Sequence, residues 1–361
     1  MADSDFPGSR LEAPLTNPVS VSWQSPSNIA FVKYWGKTGR QLPVNPSLSM
    51  TLSKAFTETR LTSLPRETEG TADLDFWFEG KQNSAFGERM KRFLQSITDI
   101  FPWLEQVSLK LETHNTFPHS AGIASSASSF SALALCLCSL DTELCGILLD
   151  ETEFRIKASF IARLGSGSAC RSLFPGLTVW GYTKSLTGSS DLFAVPVTEV
   201  HPLFKTLRDT ILIVNSEEKA VSSSEGHSRM VNHPFAEARI RQAGKNTTDL
   251  LEAFKTGDKD SFIRIVENEA LTLHALMMTS DNGFMLMYPE TVRIISRIKE
   301  LRRETGLDIC FTLDAGPNVH LIYFEEQSEQ VAKLIVEDIF KNIKQNTRID
   351  DFCGSGPVKL S

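Results

Sequence analysis

The stretch His119-Ser-Ala-Gly-Ile-Ala-Ser-Ser-Ala127 decides how the rest of this chain is read. It is a run of small residues without a lysine, set between an extended segment and a long apolar one. Small side chains let backbone N–H groups come close to a ligand, and a helix opening directly behind them adds the positive end of its dipole. Such a place suits phosphate. The hydroxyls of Ser125 and Ser126 stand where they could bind phosphate oxygens or a metal ion. Turns and close helix packing use the same residues, so the stretch does not decide function alone.

Three other segments narrow the choice. Arg163-Leu-Gly-Ser-Gly-Ser-Ala-Cys-Arg171 is a second Gly/Ser loop, and it ends in an arginine. Thr312-Leu-Asp-Ala-Gly-Pro-Asn318 follows an apolar strand-like run and sets one carboxylate against a Gly-Pro turn. Asn28-Ile-Ala-Phe-Val-Lys-Tyr-Trp-Gly-Lys37 gathers two lysines and a tyrosine around another glycine.

A chain of 361 residues favours two domains over one, and a hydrophobic content of 41% supports ordinary globular cores. No apolar run approaches the roughly 18–20 residues that span a bilayer. The first twenty residues mix Asp, Ser, Pro and Gly and are expected to form a polar, mobile tail without the apolar core of a signal peptide. A net charge of −7 without a dense basic block argues against nucleic-acid binding. A few converging cations can still bind anions in an acidic protein. None of the six cysteines forms a Cys-x-x-Cys pair, so buried free thiols in a reducing cytoplasm are expected. The histidines lack metal-type spacing; His114 and His119 read as hydrogen-bonded structural residues.

Strand character marks 21–32, 55–64, 74–79 and 107–112, by β-branched and aromatic content or period-two alternation. A helix is predicted over 86–100, with Met90, Phe93, Leu94 and Ile97 on one face. A buried helix is predicted over 128–140, and another over 150–164 with Asp150 as N-cap. Strand character returns over 176–198. The division expected is a tail over 1–19, an ATP-binding domain over 20–205 and a second α+β domain over 206–361. In the second, 210–214 reads as a strand. Helices fill 235–278 with a break at Thr256-Gly257-Asp258, and another runs over 289–303. Strands 310–313 and 319–324 flank the Gly-Pro turn, and a helix over 330–342 follows. Helices packed on one face of an antiparallel sheet make an α+β fold.

In order along the chain, Asn28 to Lys37, Pro43-Val-Asn-Pro-Ser-Leu-Ser49, Asn115 to Ala127, Gly165 to Arg171 and Asp314 to Asn318 resemble the motifs of the diphosphomevalonate decarboxylase family, within the GHMP small-molecule kinases. The resemblance covers residues 28–318. It implies a two-domain GHMP kinase fold: an N-terminal domain like ribosomal protein S5, a ferredoxin-like C-terminal domain, and an active site in the cleft between them. It implies ATP-dependent decarboxylation of mevalonate 5-diphosphate to isopentenyl diphosphate, with Mg²⁺. Small-molecule substrates are then the partners, not nucleic acid or membrane, and the enzyme is a homodimer.

The same resemblance implies roles. Asp314 accepts or orients the proton of the substrate's tertiary hydroxyl, as a carboxylate at a turn can; an Asp before Gly-Pro also caps its own turn. Arg171 holds the substrate carboxylate with its planar fork, where the plainer reading is a surface ion pair. Lys33 lies close to Asp314, to the transferring phosphate, or to both, where the plainer reading is a lysine facing water; Asn28 helps to orient this network. Gly122, Ala124, Ser125, Ser126 and Ala127 cradle phosphate, and Ser126 also reaches the reacting centre. Tyr34, Lys37, Ser166, Ser168 and Arg89 bind the substrate diphosphate, with a solvated helix-face charge as the alternative for Arg89. No carboxylate cluster announces a metal cage, so Mg²⁺ is held mainly by phosphates.

The chain departs from the family pattern at His119-Ser120, in a longer span between Ser126 and Arg171 around 139–151, and in the loop Val221 to His227. These departures point to a bacterial-type branch. The alternatives are a relative of the same fold that decarboxylates mevalonate 5-phosphate or only phosphorylates the 3-hydroxyl, and a non-catalytic ligand sensor. Lys33, Arg171 and Asp314 together argue against a pure kinase, and Asp314 against a sensor.

Overall fold

The computed structural model describes residues 6, 8–117, 123–215, 223–341 and 347–361. The motif residues His119, Ser120 and Gly122 lie outside them.

The first half opens with strand β1 (Val19–Val32), the short hairpin β2 (Lys37–Thr38) and β3 (Leu42–Pro43), and the long β4 (Ser47–Leu64). Then come β5 (Asp73–Phe78), β6 (Lys81–Gln82), helix α1 (Ser84–Gln95), β7 (Ser108–Asn115), α2 (Ser125–Cys145) and α3 (Glu151–Gly165). A 3₁₀ segment, Gly167–Leu173, leads to β8 (Leu177–Trp180) and β9 (Ala194–Pro196). Among the described residues these strands make one mixed sheet, β14-β1-β4-β7-β5-β6, with β8 and β9 branching from β4. Its last member, β14 (Val358–Lys359), is the chain's C-terminus returned to pair with β1. The expected division after residue 205 is therefore crossed by the closing residues.

The second half carries β10 (Leu207–Leu212), α4 (Ser223–Ser228), α5 (Ala236–Thr256), α6 (Lys259–Met278) and α7 (Pro289–Thr305). After these come β11 (Cys310–Thr312), β12 (Val319–Phe324), α8 (Ser328–Leu334) and β13 (Arg348–Phe352). A four-stranded antiparallel sheet, β11-β12-β10-β13, lies under the helices. The α5–α6 break falls where the sequence placed it. Gly257 takes a left-handed φ of 82°, and the Asp258 carboxylate caps α6 by accepting from the Ser261 N–H at 3.0 Å.

β1 and β4 each change character midway. The outer stretches alternate buried and exposed, while 28–32 and 48–52 are buried throughout. These inner stretches pair antiparallel, Asn28 with Thr51 and Val32 with Leu48. A strand pair buried on both sides must be covered on both sides. The 3₁₀ segment Gly167–Leu173 and helix α2 lie on one, where Asn28 donates to Ser168 and Ser172, and α5 and α6 on the other. Phe31 meets Phe262 edge-on at 5.2 Å, and Phe204, Phe254 and Phe324 close around Phe262. Asp351 of β13 adds a polar seam: its carboxylate accepts the N–H groups of Ser53, Lys54 and Ala55 at 2.7–2.9 Å.

Four sequence expectations are revised. Helix α1 ends at Gln95, because the Ser96 and Thr98 hydroxyls take the carbonyls of Phe93 and Gln95; Ile97 is buried beyond the helix. The helix expected over 330–342 starts earlier and passes into a π-turn, Ile335–Ile339. In the N-terminal tail, Phe6, Leu11 and Leu15 pack against the core, and Arg10 pairs with Glu69 and Glu105. Finally, α2 does have the length and hydropathy of a membrane span, but 72% of its apolar window is buried in the first half's core.

Replacing Phe262 by alanine removes the centre of the aromatic cluster between the halves. The expected loss is about 3–5 kcal/mol of unfolding free energy, read from urea denaturation. A loss under about 1 kcal/mol would show that the cluster is not what joins them.

Candidate functional site

The cleft opens where the inner end of β1 meets the second sheet. Lys33 follows β1 directly, and Asp314 follows β11 at the Gly-Pro turn. Their side chains meet across the halves, Lys33 Nζ to Asp314 Oδ1 at 3.2 Å. The lysine is 2% exposed and the aspartate 24%. Burial pushes the Lys33 ammonium below the ordinary lysine range, and the nearby Asp314 carboxylate opposes that shift. The turn itself is fixed from behind. The His274 Nε2–H donates to the Asp314 carbonyl at 3.1 Å, and Asn318 accepts the N–H groups of Val214 and Asn215.

Arg171 enters from the 3₁₀ segment and is 3% exposed. Its Nε–H donates to Asn28 Oδ1 at 3.3 Å and its Nη1–H to Ser47 Oγ at 2.6 Å. Asn28 is oriented in turn: its amide donates to the Ser168 carbonyl at 3.1 Å and to Ser172 Oγ at 2.8 Å. Arg171 is thus built into the site rather than paired at the surface. Burial lowers its pKa from the ordinary arginine value, so its charge seeks an anionic partner.

Ser126 opens toward the same cleft, with its hydroxyl 3.3 Å from that of Ser166. Ala124 precedes α2 at a φ of 23°, a left-handed conformation that costs about 1–3 kcal/mol and is held by its surroundings. An alanine N-cap supplies no side-chain acceptor, so the helix's positive end is not masked by its own cap. Ala127 is a correction. Its N–H is spent on the Ala124 carbonyl at 2.7 Å and its side chain is fully buried, so it does not face the cleft. Ser125 also stands outside the lining.

Tyr34, Lys37, Arg89, Ser166 and Ser168 line the same cleft. The Tyr34 ring lies 4.6 Å from Trp180, and its hydroxyl is buried with no protein partner. Burial pushes that phenol's pKa up, so it stays a donor. Burial and the charge of Arg89 both lower the Lys37 pKa. A buried hydroxyl without a partner and two cations drawn together suit a polyanion.

Several groups escaped the sequence reading. His227, seen only as part of a polar loop, accepts the Gly36 N–H on Nδ1 at 3.0 Å. Its ring sits 4.2 Å from that of Tyr34 and 4.9 Å from that of Trp35. Ser47 and Asn45 lie in a motif that assigned them nothing. Arg239 stands in the first turn of α5 and Glu269 in the middle of α6, both on buried faces; a charged residue at core spacing was the available signal. Among the described residues no group of three His, Cys, Asp or Glu could hold a metal.

Burial holds His227 down to about 3 and His274 down to about 4. An unfolded chain would protonate both near pH 6.5. The folded protein therefore loses stability as pH falls below that value, by about 2 kcal/mol per histidine at pH 5. Histidine NMR should find both rings neutral at pH 5, and urea unfolding should show the loss between pH 7.5 and 5. Protonation of either ring near pH 6.5 would contradict its placement.

Residues 25–194 match the family model of the diphosphomevalonate decarboxylase-like N-terminal domain. Residues 210–357 match that of the mevalonate 5-diphosphate decarboxylase C-terminal domain. The diphosphomevalonate decarboxylase of Debaryomyces hansenii is 31% identical over 343 residues, covering 90% of this chain and 84% of that protein. The solved mevalonate diphosphate decarboxylase from Enterococcus faecalis superposes with a TM-score of 0.79 at 28% identity, covering 95% of this chain and 99% of that one. A solved relative in complex with MVAPP, AMPPCP and magnesium gives a TM-score of 0.79 at 27% identity, with coverage of 95% and 99%. With both halves matched in order and nine-tenths of its length aligned to a curated member, the chain belongs to the diphosphomevalonate decarboxylase family.

Proposed function

We propose that this chain catalyses the ATP-dependent decarboxylation of mevalonate 5-diphosphate, yielding isopentenyl diphosphate, ADP, phosphate and carbon dioxide. The observation that carries the reading is the contact of Lys33 with Asp314 at 3.2 Å in the cleft that Arg171 also lines. One carboxylate between two buried cations matches a substrate that gives up a proton and brings a carboxylate of its own.

Asp314 takes the proton of the tertiary hydroxyl as that oxygen forms its bond to the γ-phosphorus and ADP departs. The carbon–oxygen bond then breaks and phosphate leaves with the electron pair. The bond to the substrate carboxylate breaks next, carbon dioxide departs, and the pair it leaves forms the double bond. Hydroxide would be a poor leaving group from that carbon, and this is why ATP is consumed. Lys33 favours the ionised form of Asp314 and offsets charge in transfer. With Nε and Nη1 held by Asn28 and Ser47, Arg171 turns Nη2 toward the substrate carboxylate, which it positions without trapping. Ser126 and Ala124, at the start of α2, face the nucleotide phosphates. The Tyr34 hydroxyl, Lys37, Arg89, Ser166 and Ser168 receive the diphosphate, and two cations there favour two phosphates over one.

The donor set fits magnesium carried in by phosphate. The cleft offers one carboxylate and several serine hydroxyls, the sparse protein share that Mg²⁺ takes when phosphates and water supply the rest. When bound, the ion neutralises charge between the β- and γ-phosphates. The six free cysteines support a reducing, cytoplasmic setting. The reading includes a homodimer, which the family resemblance implies.

Carbon dioxide release coupled to ATP hydrolysis tests the reading. Asp314→Ala should lower turnover at least about 100-fold; equal activity would remove Asp314 from the mechanism. Arg171→Lys should cost a similar factor, because one ammonium cannot reproduce the fork. Excess chelator should abolish turnover, and activity that survives it would count against phosphoryl transfer. A strong preference for mevalonate 5-phosphate would defeat the substrate assignment.

A further inference from the structure

Lys33 leaves β1 at a point where its backbone has no ladder partner, yet it is buried. A buried N–H and C=O must find partners elsewhere. The Lys33 N–H donates to Glu269 Oε2 at 2.9 Å. Its carbonyl accepts from Arg239 Nη2 at 2.9 Å and from Asn45 Nδ2 at 3.0 Å. Arg239 and Glu269 face each other through two bonds of 2.7 Å, with side chains 1% and 0% exposed. Asn246 Nδ2 completes the carboxylate at 2.7 Å. Glu269 thus receives four donors, two from Arg239 and one each from Asn246 and Lys33.

We propose that the Arg239–Glu269 ion pair is a positioning device for Lys33: it grips both backbone polar groups of that residue and so sets where its ammonium meets Asp314. The inference rests on the decarboxylase reading, in which Lys33 is the working cation. Its logic is one of polarity. A buried ion pair is a poor source of stability, since apolar side chains of equal volume often do as well. Apolar side chains could not serve a donor and an acceptor of the same residue at once; the carboxylate takes the N–H and the guanidinium serves the C=O. The pair also stands on α5 and α6, in the half that delivers Asp314. Lys33 belongs by sequence to the first sheet, and Asn45 of the first half shares its carbonyl, but its N–H, its carbonyl and its ammonium each take a partner from the second half. The second half thus holds the Lys33 backbone as well as the Asp314 carboxylate that its ammonium meets. Misplacement of a catalytic group by about 1 Å costs on the order of 100-fold in rate.

Glu269→Gln keeps the shape but turns one acceptor into a donor that faces other donors. Arg239→Lys keeps the charge, but a single ammonium cannot bridge Glu269 and the Lys33 carbonyl. Both should lower kcat by about 100-fold while KM for mevalonate 5-diphosphate stays within about threefold. A merely structural pair would instead lower the folded fraction, leaving the folded molecules at wild-type kcat. The double variant Arg239→Met/Glu269→Leu, of similar volume, should fold and still turn over slowly. Any folded variant of the three with wild-type kcat overturns the proposal. Native-state hydrogen exchange on the wild-type protein is independent of variant folding. The Lys33 amide should be protected as strongly as that of Thr51, a buried residue whose N–H donates to the Gly176 carbonyl at 2.8 Å, and exchange at the rate of an exposed amide overturns the clamp. The two readings separate cleanly. A wild-type protein that releases no carbon dioxide sinks the functional assignment, whereas an active wild type matched by Glu269→Gln sinks this inference alone.

Discussion

The pairing of residues 28–32 with 48–51, covered on both faces, is the constraint on which the molecule depends. An antiparallel pair can leave one face to water, but this one cannot, because its side chains are apolar or hydrogen-bonded on both. The second half's helices are thus part of the first sheet's core. The phenylalanine cluster and the three N–H groups gathered by Asp351 hold the same seam. A cleft at such a seam takes its groups from distant segments and keeps them fixed, because both walls belong to one packed interior.

That packing gives the cleft its electrostatics. The chain as a whole is acidic, yet Lys33 and Arg171 are withdrawn from water at its centre. Each pays a desolvation cost that the protein offsets only in part, through Asp314 for the lysine and through Asn28 and Ser47 for the arginine. The unpartnered Tyr34 hydroxyl nearby is a further unmet demand. Groups left short of partners in this way are poised for a ligand with several negative oxygens. Burial also keeps His227 and His274 neutral, so neither adds competing positive charge.

Rigidity matters as much as charge. Asp314 sits on a turn tied down by His274 and Asn318, and Arg171 is held by two side chains. The Lys33 backbone is gripped by an ion pair that contributes little to stability by itself. Strain at Ala124 belongs to the same pattern: a costly backbone conformation kept where a helix N-terminus must face the cleft.

Much of this was legible along the chain. The break at Thr256-Gly257-Asp258, the N-cap at Asp150 and the strands around the Gly-Pro turn are local events, written in residues a few positions apart. The motifs likewise named Lys33, Arg171 and Asp314. The end of α1 was missed, because hydroxyls compete with a helix ladder in a way that periodicity does not show. So was the spent N–H of Ala127, which depends on one dihedral angle at Ala124. The return of β14 to β1 left no mark along the chain, and the grip of Arg239 and Glu269 on Lys33 left only the faint one of charged residues at core spacing. The sequence by itself determined the elements, their caps and the chemical types of the reacting groups, because these follow from each residue's own backbone preferences and neighbours. Only the tertiary structure decided that a lysine and an aspartate 281 positions apart meet in one cleft. That choice rests on which apolar faces bury each other, a property of the folded whole.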